Sequence, residues 1–290
     1  MHNLKPKLLL VTVLALQLCA AFADPISGRI TVTVSGHGPD VVLIPGLTCS
    51  SAVWDATSAH LKAHYRLHLV QINGFAGAPS LANARGPIVQ PTLDAIDAYI
   101  KTNKLKSPYI IGHSLGGTIG LLLALQHPED VRSLMVVDAL PFSGMLLGAA
   151  DVASATPAAV TMRDNTLSES QAAYARDAKN FILILVKSPA GRKLATAWAI
   201  ASDKSVVARA VYEDLTTDLR PQLQKIKTPV TILYPWDFPS LYSKSDADGF
   251  YQQNFAALPH KTMVRMDGSL HFIMLDQPDA FAAQVDAFLK

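Results

Sequence analysis

Apolar and polar positions along this chain follow two rhythms. Residues 29–34 (RITVTV) alternate with period two, the mark of a strand buried on one face. Residues 41–44 (VVLI) are continuously apolar, as a strand covered on both faces requires. Further strand patterns fall at 66–72, at 107–111, at 131–137, at 228–234 and at 261–266. Helical spacing separates them at about 52–64, 91–102, 118–125 and 278–289. Strands alternating with helices predict an α/β fold, a mostly parallel central sheet with helices on its faces.

The rhythm breaks after Asp138. Residues 139–224 hold no buried strand pattern, only helical stretches at 168–186, 190–201 and 204–215, the first opened by a Ser168/Gln171 capping box. A crossover needs one helix, so the excess predicts an inserted helical lid over 139–224. The core is then 24–138 together with 225–290.

The first 23 residues have a separate character. Lys5 and Lys7 precede an apolar run from Leu8 to Leu18, and Ala21-Phe22-Ala23 forms a small-residue cleavage site before Asp24. This is the pattern of a removable signal peptide, too short for a membrane anchor, and it predicts a periplasmic or secreted protein. Cleavage would remove two of the 25 basic side chains and none of the 23 acidic ones, leaving the chain near neutral. Neither nucleic acid nor an integral membrane segment is expected as a partner. Of the two cysteines only Cys49 would remain, so no internal disulfide can form.

Chemistry is concentrated at Gly112-His113-Ser114-Leu115-Gly116, a G-x-S-x-G turn with a strand before it and an apolar helix after it. A strand that reverses into a helix within one residue strains the middle residue and crowds positions two away on either side, so glycines stand there. The turn lifts the Ser114 hydroxyl clear of the sheet and aims the free N–H groups of the following helix at it. A serine hydroxyl is a weak nucleophile and needs a base within hydrogen-bond reach. His60 and His64, four apart on a helix, are read as a solvated face, and His127 as a helix-end residue.

Taken together, the layout resembles the α/β-hydrolases over nearly all of residues 24–290. The elbow at Gly112 to Gly116 carries the likeness, with the Leu43-Ile44-Pro45-Gly46-Leu47 loop, the inserted helices, and Ser269-Leu270-His271-Phe272 near the C-terminus. The resemblance implies Ser114 as nucleophile, His271 as base, and oxyanion donors from the backbone N–H groups of Leu47 and Leu115. For the orienting carboxylate two strand-end aspartates stand open. Asp237 matches the commoner position and is the first choice, and Asp138 is the alternative. Trp54, Phe142 and Trp236 are candidate pocket walls, along with Phe75, Phe181, Trp198 and Phe238. The activity implied is hydrolysis of small to medium apolar carboxylic esters through an acyl-enzyme, with no metal or cofactor. A lactonase, an amidase and a C–C bond hydrolase share the same residues, and a non-catalytic binding protein on this scaffold is the reading from another class.

Overall fold

The computed structural model describes residues 28–237 and 242–290. The leader expected at 1–23 and the wall candidate Phe238 lie outside them. Seven strands form one sheet: β1 (Ile30–Gly36), β2 (Asp40–Ile44), β3 (Arg66–Ile72), β4 (Tyr109–His113), β5 (Ser133–Val137), β6 (Val230–Trp236) and β7 (Lys261–Asp267). Their order is β1-β3-β2-β4-β5-β6-β7, and only the β1–β3 pair is antiparallel. The half-buried alternation of β1 suits its place at an edge. The apolar run at 41–44 places β2 in the interior of the sheet, as predicted, and β4 and β5 are interior strands too.

Side chains alternate across the sheet with period two. Val42, Ile44, Ile110, Val136 and Ile232 face α2 (Val89–Thr102) and α3 (Leu115–Gln126), which contribute Leu93, Ile96, Ile119 and Leu123. Val41, Leu43, Ile111, Met135 and Val137 face the other way. There they meet Leu61 of α1 (Asp55–Leu61) and Phe281 and Val285 of the C-terminal helix Pro278–Phe288. Ten residues of α3, from Leu115 to Ala124, are buried, so its apolar character all round has a partner on every side.

Four helices lie between β5 and β6: α4 (Val152–Ser168), α5 (Gln171–Leu185), α6 (Pro189–Ala201) and α7 (Lys204–Thr216). The last three match the expected stretches; α4 was not foreseen. Its alternation of small and polar residues (VASATPAAVTMRDNTLS) offers no apolar stripe, and only Ala155 and Ala159 are buried, against α7. The capping box expected at Ser168 is displaced. Ser170 caps α5 by accepting from Ala173 N–H, and the reciprocal box is Asp151 with Ser154 at the head of α4. Ser168 instead closes α4. Three more helices follow the insertion, α8 (Lys244–Asn254), the short α9 (Ile273–Asp276) and α10 (Pro278–Phe288).

The elbow is held by backbone contact. A Cβ on Gly112 would lie 2.2 Å from the carbonyl oxygen of Gly116, and one on Gly116 would lie 2.3 Å from that of Ile44. Neither neighbour is a movable side chain. Gly112→Ala is therefore expected to cost about 3 kcal/mol of stability, read from urea unfolding of the two chains. Equal unfolding midpoints would contradict this packing.

Candidate active site

Ser114 sits between β4 and α3 with φ 53° and ψ −124°. Such a backbone costs of the order of 1–3 kcal/mol and persists only where its surroundings fix it. Here Ser114 N–H donates to Val137 O at 3.0 Å, and its own carbonyl accepts from Gly117 and Thr118. The facing loop comes equally close. A Cβ on Gly46 would stand 2.9 Å from both Ser114 Cβ and His113 Nδ1, so Leu47 follows directly on the stretch that touches the elbow. Leu115, the first residue of α3, is 1% exposed.

His271 lies in the loop after β7, where the sequence placed it. That loop is tied down at each step. Gly268 N–H donates to Trp236 O, Ser269 Oγ to Met266 O, Leu270 N–H to Asp276 and Phe272 N–H to Leu185 O. His113 joins the loop to the elbow: its ring packs on that of His271 at 4.6 Å between centroids, and its Nε2 stands 3.2 Å from His271 O. A carbonyl only accepts, so Nε2 of His113 carries the hydrogen. Burial, aided by the nearby charge of His271, holds the His113 imidazole well below the ordinary histidine range.

The carboxylate facing His271 is that of Asp138. His271 Nδ1 lies 2.6 Å from Asp138 Oδ2, and the ring's Nε2 is left for other partners. This corrects the first choice of Asp237. Asp237 instead pairs with Lys187, Nζ to Oδ1 at 2.7 Å. Strand register is the reason. His113, Val137 and Leu233 stand level across β4, β5 and β6, so Asp138 is the first residue past β5 just as Ser114 is past β4. Asp237 stands four residues beyond Leu233, roughly 13 Å further along the strand direction. Asp138 takes φ 46°, a conformation aspartate tolerates better than most residues, and its N–H donates to Leu233 O at 2.8 Å.

Two neighbours escaped the sequence reading. Tyr251 of α8 donates its phenol hydrogen to Asp138 Oδ1. Asp214 of α7 accepts from Thr118 Oγ1 at 3.1 Å, and burial pushes its carboxyl up against the opposing pull of Ser143, Thr118 and the His271 charge. Tyr251 lies within α8 and Asp214 in the last turn of α7, in patterns that read as ordinary amphipathic positions. No spacing could have flagged them, because only the tertiary fold brings them to the strand ends.

The wall candidates fare differently. Trp54 is wholly buried and stacks on Phe281 at 6.2 Å, so it is core on the α1 and α10 side. Phe142 is also wholly buried, with the Arg220 guanidinium 4.5 Å above its ring. Trp236 donates Nε1–H to Tyr242 O and carries Lys244 4.8 Å from its ring. Phe181 is 55% exposed on the outside of α5. Length and apolarity made all four candidates; these contacts and exposures are what the structure shows of them.

Of the other titratable groups, His60 pairs with Asp286 at 2.8 Å. Cys49 is buried, its thiol pushed up to about 12 by desolvation. Asp97, His127 and Asp130 gather with metal-ligand spacing among the described residues. The Lys101 ammonium already stands 2.8 Å from Asp97 and 3.4 Å from Asp130, supplying the compensating charge.

Comparisons with known proteins bear on the family and the fold. The sequence model described as "Alpha/beta hydrolase family" matches residues 41–284. The chain belongs to the alpha/beta hydrolase family. Among curated relatives, a pimeloyl-[acyl-carrier protein] methyl ester esterase of Nitrosomonas europaea is 26% identical over 272 residues, covering 89% of this chain and 98% of that protein. A protein of the same name from Aeromonas salmonicida is 37% identical over 112 residues, 39% of this chain and 42% of the relative. Among solved structures, the enol-lactonase from Burkholderia xenovorans superposes with TM-score 0.74 at 18% identity, covering 92% of this chain and 99% of the other. A thermophilic esterase from Thermogutta terrifontis superposes with TM-score 0.75 at 14% identity, covering 90% of this chain and 92% of the other.

The buried ring of His113 yields a prediction. Its ring nitrogens should keep the signature of a neutral Nε2–H imidazole in ¹⁵N NMR as the pH falls through about 6.5, where an ordinary histidine takes up its proton. The unfolded chain takes up a proton there below about pH 6.5 and the fold resists it, so this group withdraws stability as the pH falls. An imidazolium pattern at about pH 6 would contradict the burial that keeps this ring neutral.

Proposed function

We propose that this chain is a serine hydrolase of carboxylic esters in which Ser114 is the nucleophile, His271 the base and Asp138 the orienting acid. The observation that carries the reading is the 2.6 Å contact between His271 Nδ1 and Asp138 Oδ2. It comes together with a serine held in a strained turn one residue from a ring that packs on His271. With Nδ1–H engaged by the carboxylate, Nε2 is the nitrogen available to take the serine proton. Attack on the ester carbonyl forms a tetrahedral oxyanion, for which the N–H groups of Leu47 and Leu115 are the proposed donors, typically worth about 3–4 kcal/mol each. His271 then returns the proton to the leaving alcohol. Water attacks the acyl-serine by the same route and releases the acid.

Ester substrates are favoured by the match to a methyl ester esterase over 98% of that relative's length. Helices α4–α7 are proposed as the lid, since Asp214 of α7 reaches the start of the nucleophile helix through Thr118. Residues 1–23 are proposed to direct export. No helix among the described residues is long and apolar enough to cross a membrane.

Three variants test the assignment. Ser114→Ala should abolish labelling by a fluorophosphonate probe and hydrolysis of nitrophenyl esters. Asp138→Asn should lower kcat by about 10⁴-fold, because the imidazole loses the partner that fixes its tautomer. Asp237→Asn, which breaks only a partly exposed ion pair, should stay within about threefold of the parent. Loss of activity in Asp237→Asn with retention in Asp138→Asn would reverse the assignment. A panel of esters, lactones and amides on the parent chain then ranks the bond types.

A further inference from the structure

A carboxylate has two oxygens, and His271 engages only one of those on Asp138. The torsion that turns a carboxylate about its Cβ–Cγ bond is soft and roughly two-fold. A lone contact through Oδ2 would therefore leave the group free to swing away from Nδ1. In this chain the second oxygen is taken: the phenol of Tyr251 donates to Oδ1.

The phenol itself stands on a fixed platform. Its ring stacks on Tyr234 of β6, with centroids 4.4 Å apart and planes 22° from parallel, and Phe250 closes its edge at 5.5 Å. Tyr234 Oη donates to Asp248 Oδ1 at 2.8 Å, and Arg265 of β7 holds the other oxygen of Asp248 while its Nε reaches Asp267 at 2.6 Å. The ring-on-ring stack, which does not involve the Tyr234 hydroxyl, thus fixes the place from which Tyr251 reaches Asp138. Burial and the Asp138 charge hold the phenol well above its ordinary range, so it stays a donor wherever the enzyme would work.

We propose that Tyr251 is a positioning residue of this site, its phenol fixing the plane of the Asp138 carboxylate so that Oδ2 meets His271 Nδ1. The inference rests on the Ser114–His271–Asp138 reading and goes beyond it, by assigning a role to a helix that carries none of those three groups. The other groups facing the pair are His113 from β4 and Asp214 from α7. Neither bonds Asp138, so the Oδ1 contact belongs to Tyr251.

Tyr251→Phe keeps the ring and the stack and removes only the hydroxyl. It should lower kcat about tenfold with KM near the parent value. The acid limb of kcat/KM should also move up by about half a pH unit, since a carboxylate that no longer shares its charge with a phenol holds the imidazolium more strongly. Tyr234→Phe keeps the Tyr251–Asp138 bond and should leave both the limb and kcat within about twofold of the parent. Melting curves by circular dichroism verify that both variants fold. A folded Tyr251→Phe with kcat within about twofold and an unmoved limb would overturn the proposal. So would a Tyr234→Phe that shifts the limb equally, since the cause would then be packing. Asp138→Asn at the parent kcat would remove the underlying reading instead, whatever Tyr251→Phe does.

Discussion

Everything at this site depends on a reversal of chain direction completed at one residue. Strand β4 ends at His113 and helix α3 begins at Leu115, leaving Ser114 alone to turn, at φ 53° and ψ −124°. That geometry is unfavourable by itself and is maintained by close backbone contact. Gly112 lies against Gly116 O, Gly116 against Ile44 O, and Ser114 N–H is bonded to Val137 O. The same contacts that enforce the strain bring the Gly46–Leu47 loop and the head of α3 to the serine, so fold and candidate chemistry share one set of constraints.

Strand register distributes the remaining groups. Because His113, Val137 and Leu233 are level, the residues just past β4 and β5 are neighbours. Strands β6 and β7 run on together for three more residues, to the pair Trp236 and Asp267. The polypeptide then returns through 268–272 to lay His271 over the shorter strands. The overshoot carries Asp237 out to Lys187 while the returning loop brings the imidazole back to Asp138. Helix α8, which follows the overshoot, contributes a phenol rather than a carboxylate.

Much of this was legible beforehand. The seven strand patterns, the elbow and the histidine loop are local signals, written in apolar runs and glycines. So was the helical character of α5, α6 and α7, whose apolar faces are spaced for a helix. Helix α4 was silent because it buries only alanines. The choice between Asp138 and Asp237 was illegible for a different reason: both follow apolar strands, and relative strand length is a tertiary property. For Trp54 and Phe142, both wholly buried, a large aromatic residue carries no mark in the sequence that separates core from pocket wall. Tyr251 and Asp214 owe their positions to contacts more than 90 residues away in sequence, with Asp138 and Thr118 respectively.

The most direct measurement is a crystal structure of the chain after reaction with a fluorophosphonate. The account predicts phosphorus bonded to Ser114 Oγ, the His271 ring between that adduct and Asp138, and Asp237 still on Lys187. An adduct on any other residue, or a His271 ring turned to Asp237, would contradict it.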